Sequence, residues 1–109
     1  MVIVDMNGEK ANAVAAATQR DGGKAMAIQA DLCQVANTTC MVEETVRAFG
    51  AVHILMASAG IFKAAPIEET TEELWDQHLD LDLRAVFFSI KAVTLIMKRQ
   101  HYGRIITVS

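Results

Sequence analysis

Short apolar runs alternate with longer stretches in which apolar residues recur at helical spacing. Val2 to Asp5 is β-branched and predicts a strand. Glu9 to Arg20 places Ala11, Val14, Ala15 and Thr18 on a helical face, with Asn7 as cap and Asp21-Gly22-Gly23 as stop. Lys24 to Ala30 predicts a second strand and Asp31 follows it. Asn37 to Phe49 predicts a helix with Met41, Val42, Thr45, Val46 and Phe49 on one side, ended by Gly50. Val52 to Met56 predicts a third strand, running into Ala57-Ser58-Ala59-Gly60. Ile61 to Thr70 is a loop with the only proline, Pro66. Thr70 or Thr71 caps a long helix to about Gln100, His101-Tyr102-Gly103 ends it, and Ile105 to Val108 is a fourth strand.

Strand-helix alternation predicts an α/β fold, a parallel sheet flanked by helices. The long helix is apolar almost all round: Leu74, Leu81, Val86, Phe87, Phe88, Ile90, Val93, Leu95 and Ile96 do not fit one stripe. Such a helix is expected to be buried on more than one side, against its own sheet and against a second subunit.

Composition narrows the function classes. The 109 residues suffice for one domain, with 52% hydrophobic and 21% charged residues and a net charge of −3. No basic stripe supports nucleic-acid binding, and no apolar run reaches the ~20 residues of a membrane span. The N-terminus does not read as a signal peptide. Cys33 and Cys40 match neither a redox nor a zinc spacing and read as reduced thiols of a cytoplasmic protein. No two of His53, His78 and His101 stand at metal-ligand spacing, so no metal site is expected and the three read as structural.

Ligands of an open parallel sheet bind beyond the carboxyl ends of its strands, where Asp5, Asp31, Gly60 and Ser109 fall. Small residues at Ala57-Ser58-Ala59-Gly60 let a ligand lie against the backbone. Asp5 can accept two hydrogen bonds from ribose hydroxyls, and no Arg or Lys stands beside it. That favours NAD over NADP, whose extra phosphate it would repel.

At these spacings the chain resembles the short-chain dehydrogenase/reductase family. The resemblance implies a Rossmann-like sheet that binds a nicotinamide dinucleotide, and an activity that interconverts an alcohol and a carbonyl. It implies cofactor contacts at Asp5 and Met6, at Asp31 and Leu32 beside the adenine, and at Ser58, Ala59 and Gly60 beside the ribose. Ala57-Ser58-Ala59-Gly60 stands where the family has Asn-Asn-Ala-Gly. Trp75-Asp76-Gln77-His78-Leu79-Asp80-Leu81-Asp82-Leu83 resembles the stretch that ends in the family's catalytic asparagine, with Asp82 in its place. Arg104 to Ser109 resembles the strand before the catalytic serine.

The resemblance also implies that residues 1–109 are a single partial NAD(P)-binding Rossmann domain. The family's first strand with its Gly-rich turn is expected before Met1, and its Ser and Tyr-x-x-x-Lys after Ser109. With that central strand absent, two strand edges are left unpaired. Because lost ladder bonds are costly, the expectation is closure, with Val2–Asp5 pairing directly to Val52–Ala57. The long helix from 71 to 100 is expected to join subunits of a homo-oligomer. Two alternatives are a non-catalytic Rossmann piece that binds a partner and part of an S-adenosylmethionine methyltransferase, against which the ending Trp75 to Ser109 argues.

Overall fold

The computed structural model describes all residues, 1–109. The element order is β1 (Val2–Asp5), α1 (Gly8–Arg20), β2 (Met26–Gln29), α2 (Val35–Phe49), β3 (Ile54–Ala57), a short 3-10 turn (Ile67–Glu69), α3 (Glu72–Leu79), a π-helical turn (Asp80–Arg84), α4 (Ala85–Gln100) and β4 (Arg104–Thr107). The α/β alternation is as expected. Each predicted strand is found with four paired residues: β1 at its expected bounds, β2 trimmed at both ends, β3 shifted to end at Ala57 and β4 shifted back to begin at Arg104.

Local signals explain most boundaries. Asn7 Oδ1 accepts from Lys10 N–H at 3.0 Å and caps α1. Gly50 ends α2 in the left-handed conformation, φ 83°, which costs glycine no Cβ clash. Thr71, rather than Thr70, caps α3 by accepting from Leu74 N–H at 3.1 Å. Helix α2 starts at Val35, two residues before the predicted Asn37. Asn37 Nδ2 instead donates to the Asp31 carbonyl and ties the helix to the preceding turn.

The strands form two separate sheets, β1 beside β2 and β3 beside β4, each pair parallel. The expected closure of β1 onto β3 does not occur. Its physical obstacle is the helix layer. Met41 and Val42 of α2, Val52, and Val93 and Met97 of α4 make one core cluster, against which Val4 and Ile28 of one sheet and Leu55 of the other all pack. Sliding the sheets together would tear this shared core, and lost burial of a side chain such as Val93 costs about 1.5–3 kcal/mol.

The position of β3 is also fixed by a side chain. Gln100 Oε1 accepts from Val52 N–H at 3.0 Å, and its Nε2 donates to the Val52 carbonyl at 2.7 Å. Gln100→Leu leaves both half-buried backbone groups unpaired and should cost about 1–3 kcal/mol. A lowered urea midpoint, against no change for the exposed neighbour Lys98→Ala, checks this.

The long helix is corrected in two ways. It is interrupted by the π turn at Asp80–Arg84, braced by an Arg84–Asp80 ion pair at 2.9 Å. It is also buried along one stripe only, Ala85, Ser89, Val93 and Met97, four residues apart. On the other side Trp75, Leu83 and Phe87 are 59%, 64% and 60% exposed. In α1 the covered positions are Ala11 and Ala15 while Val14 faces out, because small side chains let this helix lie close to β1 and β2. No helix is long and apolar enough to cross a membrane.

Candidate functional site

Within each half-sheet the carboxyl ends bring the expected residues together. Asp5 pairs in register with Gln29, and the ladder continues with Ala30 N–H donating to the Asp5 carbonyl at 3.1 Å. Asp5 and Asp31 therefore sit at one edge, each where its strand gives way to a turn. Asp5 Oδ1 accepts from Asn7 N–H at 2.7 Å, a local turn that holds the carboxylate at the mouth of α1. The exposed side chain of Met6 follows it.

An open hollow lies there, lined by Met6, Asn7, Gly8, Glu9, Asn12 and Gln29. Gln29 Nε2 donates to the Met6 carbonyl at 3.2 Å, so a residue of β2 supports the turn after β1. The lining holds the carboxylate of Glu9 and no cation.

Asp31 Oδ1 accepts from Cys33 N–H at 2.9 Å, and its carbonyl accepts from Gln34 N–H and Asn37 Nδ2. The aspartate shapes the turn after β2, and Leu32 packs its side chain against the core cluster. Burial pushes the Cys33 thiol up from its ordinary value, and the Asp31 carboxylate adds to the effect. The folded state therefore favours the protonated thiol. Its contribution to stability is complete below the ordinary thiol range and is lost as pH rises through the folded value. Alkylation of Cys33 by iodoacetamide should set in at higher pH in the folded chain than in urea, followed by peptide mass analysis.

The second half-sheet carries Ser58, Ala59 and Gly60 in the exposed turn after β3. Asp82, in the π turn, reaches back to this turn. Its Oδ1 accepts from Ile61 N–H at 2.9 Å, and a Cβ on Gly60 would stand 3.0 Å from the same oxygen. The extra residue of a π turn offsets the helix register, and such turns recur at functional sites. An ionised aspartate only accepts, which suits a backbone amide and gives it no proton to donate onward. Ser109 ends the chain just beyond β4.

Three residues outside the expected set hold the elements around these turns or the strand that leads to them. Gln29 supports the first turn and Gln100 fixes β3. His78 accepts from Lys63 N–H at 3.0 Å in the loop after β3. The one signal for His78 in the sequence is its place four residues before Asp82.

Residues 1–109 match the family description "short chain dehydrogenase" over their full length. The chain belongs to this family. The short-chain dehydrogenases similar to it include a cyclopentanol dehydrogenase of Comamonas testosteroni, 31% identical over 105 residues, which are 96% of this chain and 42% of that one. A 3-alpha-(or 20-beta)-hydroxysteroid dehydrogenase of Mycobacterium tuberculosis is 36% identical over 109 residues, all of this chain and 41% of that one. The crystal structure of a 3-ketoacyl-ACP reductase from Sinorhizobium meliloti superposes with a TM-score of 0.94 at 28% identity, over 99% of this chain and 43% of that one.

The chain thus spans about two-fifths of the length of the short-chain dehydrogenases it matches. The superposition holds for nearly the whole chain, so the two half-sheets and their helices keep the arrangement of the larger fold and form part of a Rossmann-like fold. The methyltransferase alternative is set aside by the family match.

Proposed function

We propose that residues 1–109 are the adenosine-binding part of an NAD-dependent oxidoreductase that interconverts an alcohol and a carbonyl. The observation that carries this reading is the pair of carboxylates at one sheet edge. Asp5 ends β1 and Asp31 follows the end of β2 by two residues, and the hollow after Asp5, walled by Met6 to Glu9, Asn12 and Gln29, holds an acidic residue and no cation. Asp5 accepts from the ribose hydroxyls, with Met6 covering the sugar. Asp31 and Leu32 border the adenine, the aspartate taking its amino group. Ser58, Ala59 and Gly60 offer bare backbone to the other side of the ribose. The nicotinamide ring supplies the hydride chemistry when bound.

The acid and base of the reaction are not supplied by this stretch. Asp82 occupies the family's asparagine position, and we assign it to holding the turn after β3 rather than to passing a proton. The two thiols and the absence of a basic surface fit a cytoplasmic setting.

The exposed apolar side of α3 and α4 is the proposed surface for a second copy. Trp75, Leu79, Leu83 and Phe87 recur every four residues and are exposed. A continuous apolar face of this kind marks an interface. Sizing by light scattering should show a dimer or larger, and Leu83→Glu with Phe87→Glu should shift it to monomer. A monomer in the unsubstituted chain would contradict this.

Photolabelling tests the nucleotide reading. Irradiating the chain with 2-azido-NAD should label peptides containing Asp31 to Cys33 and Ala57 to Ile61, with protection by excess NAD. Labelling confined to the 85–100 helix, or unprotected by NAD, would overturn it.

A further inference from the structure

The loop leaving β3 is tied to the long helical stretch at two backbone amides. Ile61 N–H donates to Asp82 Oδ1 at 2.9 Å, and Lys63 N–H donates to His78 Nε2 at 3.0 Å. The acceptors stand four residues apart on the helical stretch, His78 in α3 and Asp82 in the π turn, and the donors stand two residues apart in the loop. The Lys63 side chain adds a third tie, Nζ donating to Gln77 Oε1 at 3.3 Å.

The partners of His78 fix its protonation. Nδ1 lies 2.8 Å from the Leu74 carbonyl oxygen, which can only accept, so Nδ1 carries the proton. Nε2 is then the bare nitrogen that Lys63 N–H requires. An imidazolium would set donor against donor at that bond, and an Nε2–H ring would lose both bonds. The imidazole thus links the backbone of α3 to the backbone of the loop.

We infer that His78 is a positioning residue: as a neutral ring protonated on Nδ1, it holds the loop after β3 through the Lys63 amide. Asp82 holds the same loop two residues earlier. The pair holds the chain where it leaves Ser58-Ala59-Gly60, the backbone assigned to the nucleotide. The importance of the loop for the cofactor rests on the proposed function. The clamp itself rests on the two hydrogen bonds.

Nuclear magnetic resonance of the whole chain tests it at neutral pH. The ¹⁵N spectrum of the His78 ring should show the Nδ1–H tautomer. In His78→Phe, exchange of the Lys63 amide should accelerate at least tenfold while the Ile61 amide changes by less than threefold. His78→Gln should restore protection, since its side-chain oxygen can take the place of Nε2. Asp82→Ala should do the reverse, freeing Ile61 before Lys63, with Asp82→Asn protecting it. An Nε2–H tautomer in the unsubstituted chain overturns the inference, and that reading stands even if His78→Phe fails to fold. Equal acceleration of all loop amides with no rescue by glutamine also overturns it, because it would show lost packing only. None of these readings uses a nucleotide, so their failure leaves the dinucleotide proposal untouched, and a failure of nucleotide binding leaves the clamp in place.

Discussion

A chain of residues 1–109, purified and mixed with NAD and a panel of secondary alcohols, should produce no NADH above a blank. Two kinds of group are missing from this stretch. No Gly-rich turn offers backbone amides to a pyrophosphate, and Tyr102 has no lysine four residues on. Positioned acid–base groups contribute roughly 10²–10⁴-fold to such reactions. Loss of the pyrophosphate turn weakens hold on the cofactor in addition. Together they place turnover far below detection. Reproducible NADH formation that Asp82→Ala abolishes would mean that the active site lies elsewhere than described.

The second large effect concerns cofactor choice. A full-length protein that carries this segment should prefer NAD to NADP, and Asp5→Ala should relax the preference. Asp5 is aimed by the Asn7 amide and neighbours a hollow whose only charged lining residue is Glu9. Hydrogen bonds to a charged group are worth about 1.5–3 kcal/mol, so roughly ten- to a hundredfold in kcat/KM for NAD should be lost. Asp5→Arg should go further and favour NADP, since a guanidinium pairs with the extra phosphate. Kinetics with both cofactors check it. A parent protein that already uses NADP better would contradict the role given to Asp5.

What was legible along the chain was mostly local. Asn7, Gly50 and Thr71 mark helix ends through bonds or dihedral angles that involve only neighbouring residues. Asp5 and Asp31 were legible because a carboxylate just beyond an apolar run takes a strand end whatever the rest does. The π turn was not legible, since one extra residue between Asp80 and Arg84 leaves the apolar spacing nearly as it was. The exposed side of α4 was hidden for a related reason. Leu95 and Phe87 look as buried in a sequence as Val93, and only packing separates them.

The sheet shows the limit most plainly. Counting unpaired strand edges favours closure of β1 onto β3. The counterweight is non-local: α2 and α4 share one core beneath both half-sheets, and Gln100 bonds Val52 across 48 positions of sequence. Likewise His78 found its role through a backbone amide 15 residues away, which no spacing of histidines could signal.

Amide shifts recorded while ¹⁵N-labelled chain is titrated with NAD, and separately with NADP, test the central claim most directly. Saturating shifts should appear with NAD at Met6 to Gly8, Leu32, and Ser58 to Gly60, and NADP should produce them only at tenfold or greater concentration. Equal responses to both cofactors, or NAD shifts confined to residues away from these three strand ends, would contradict it.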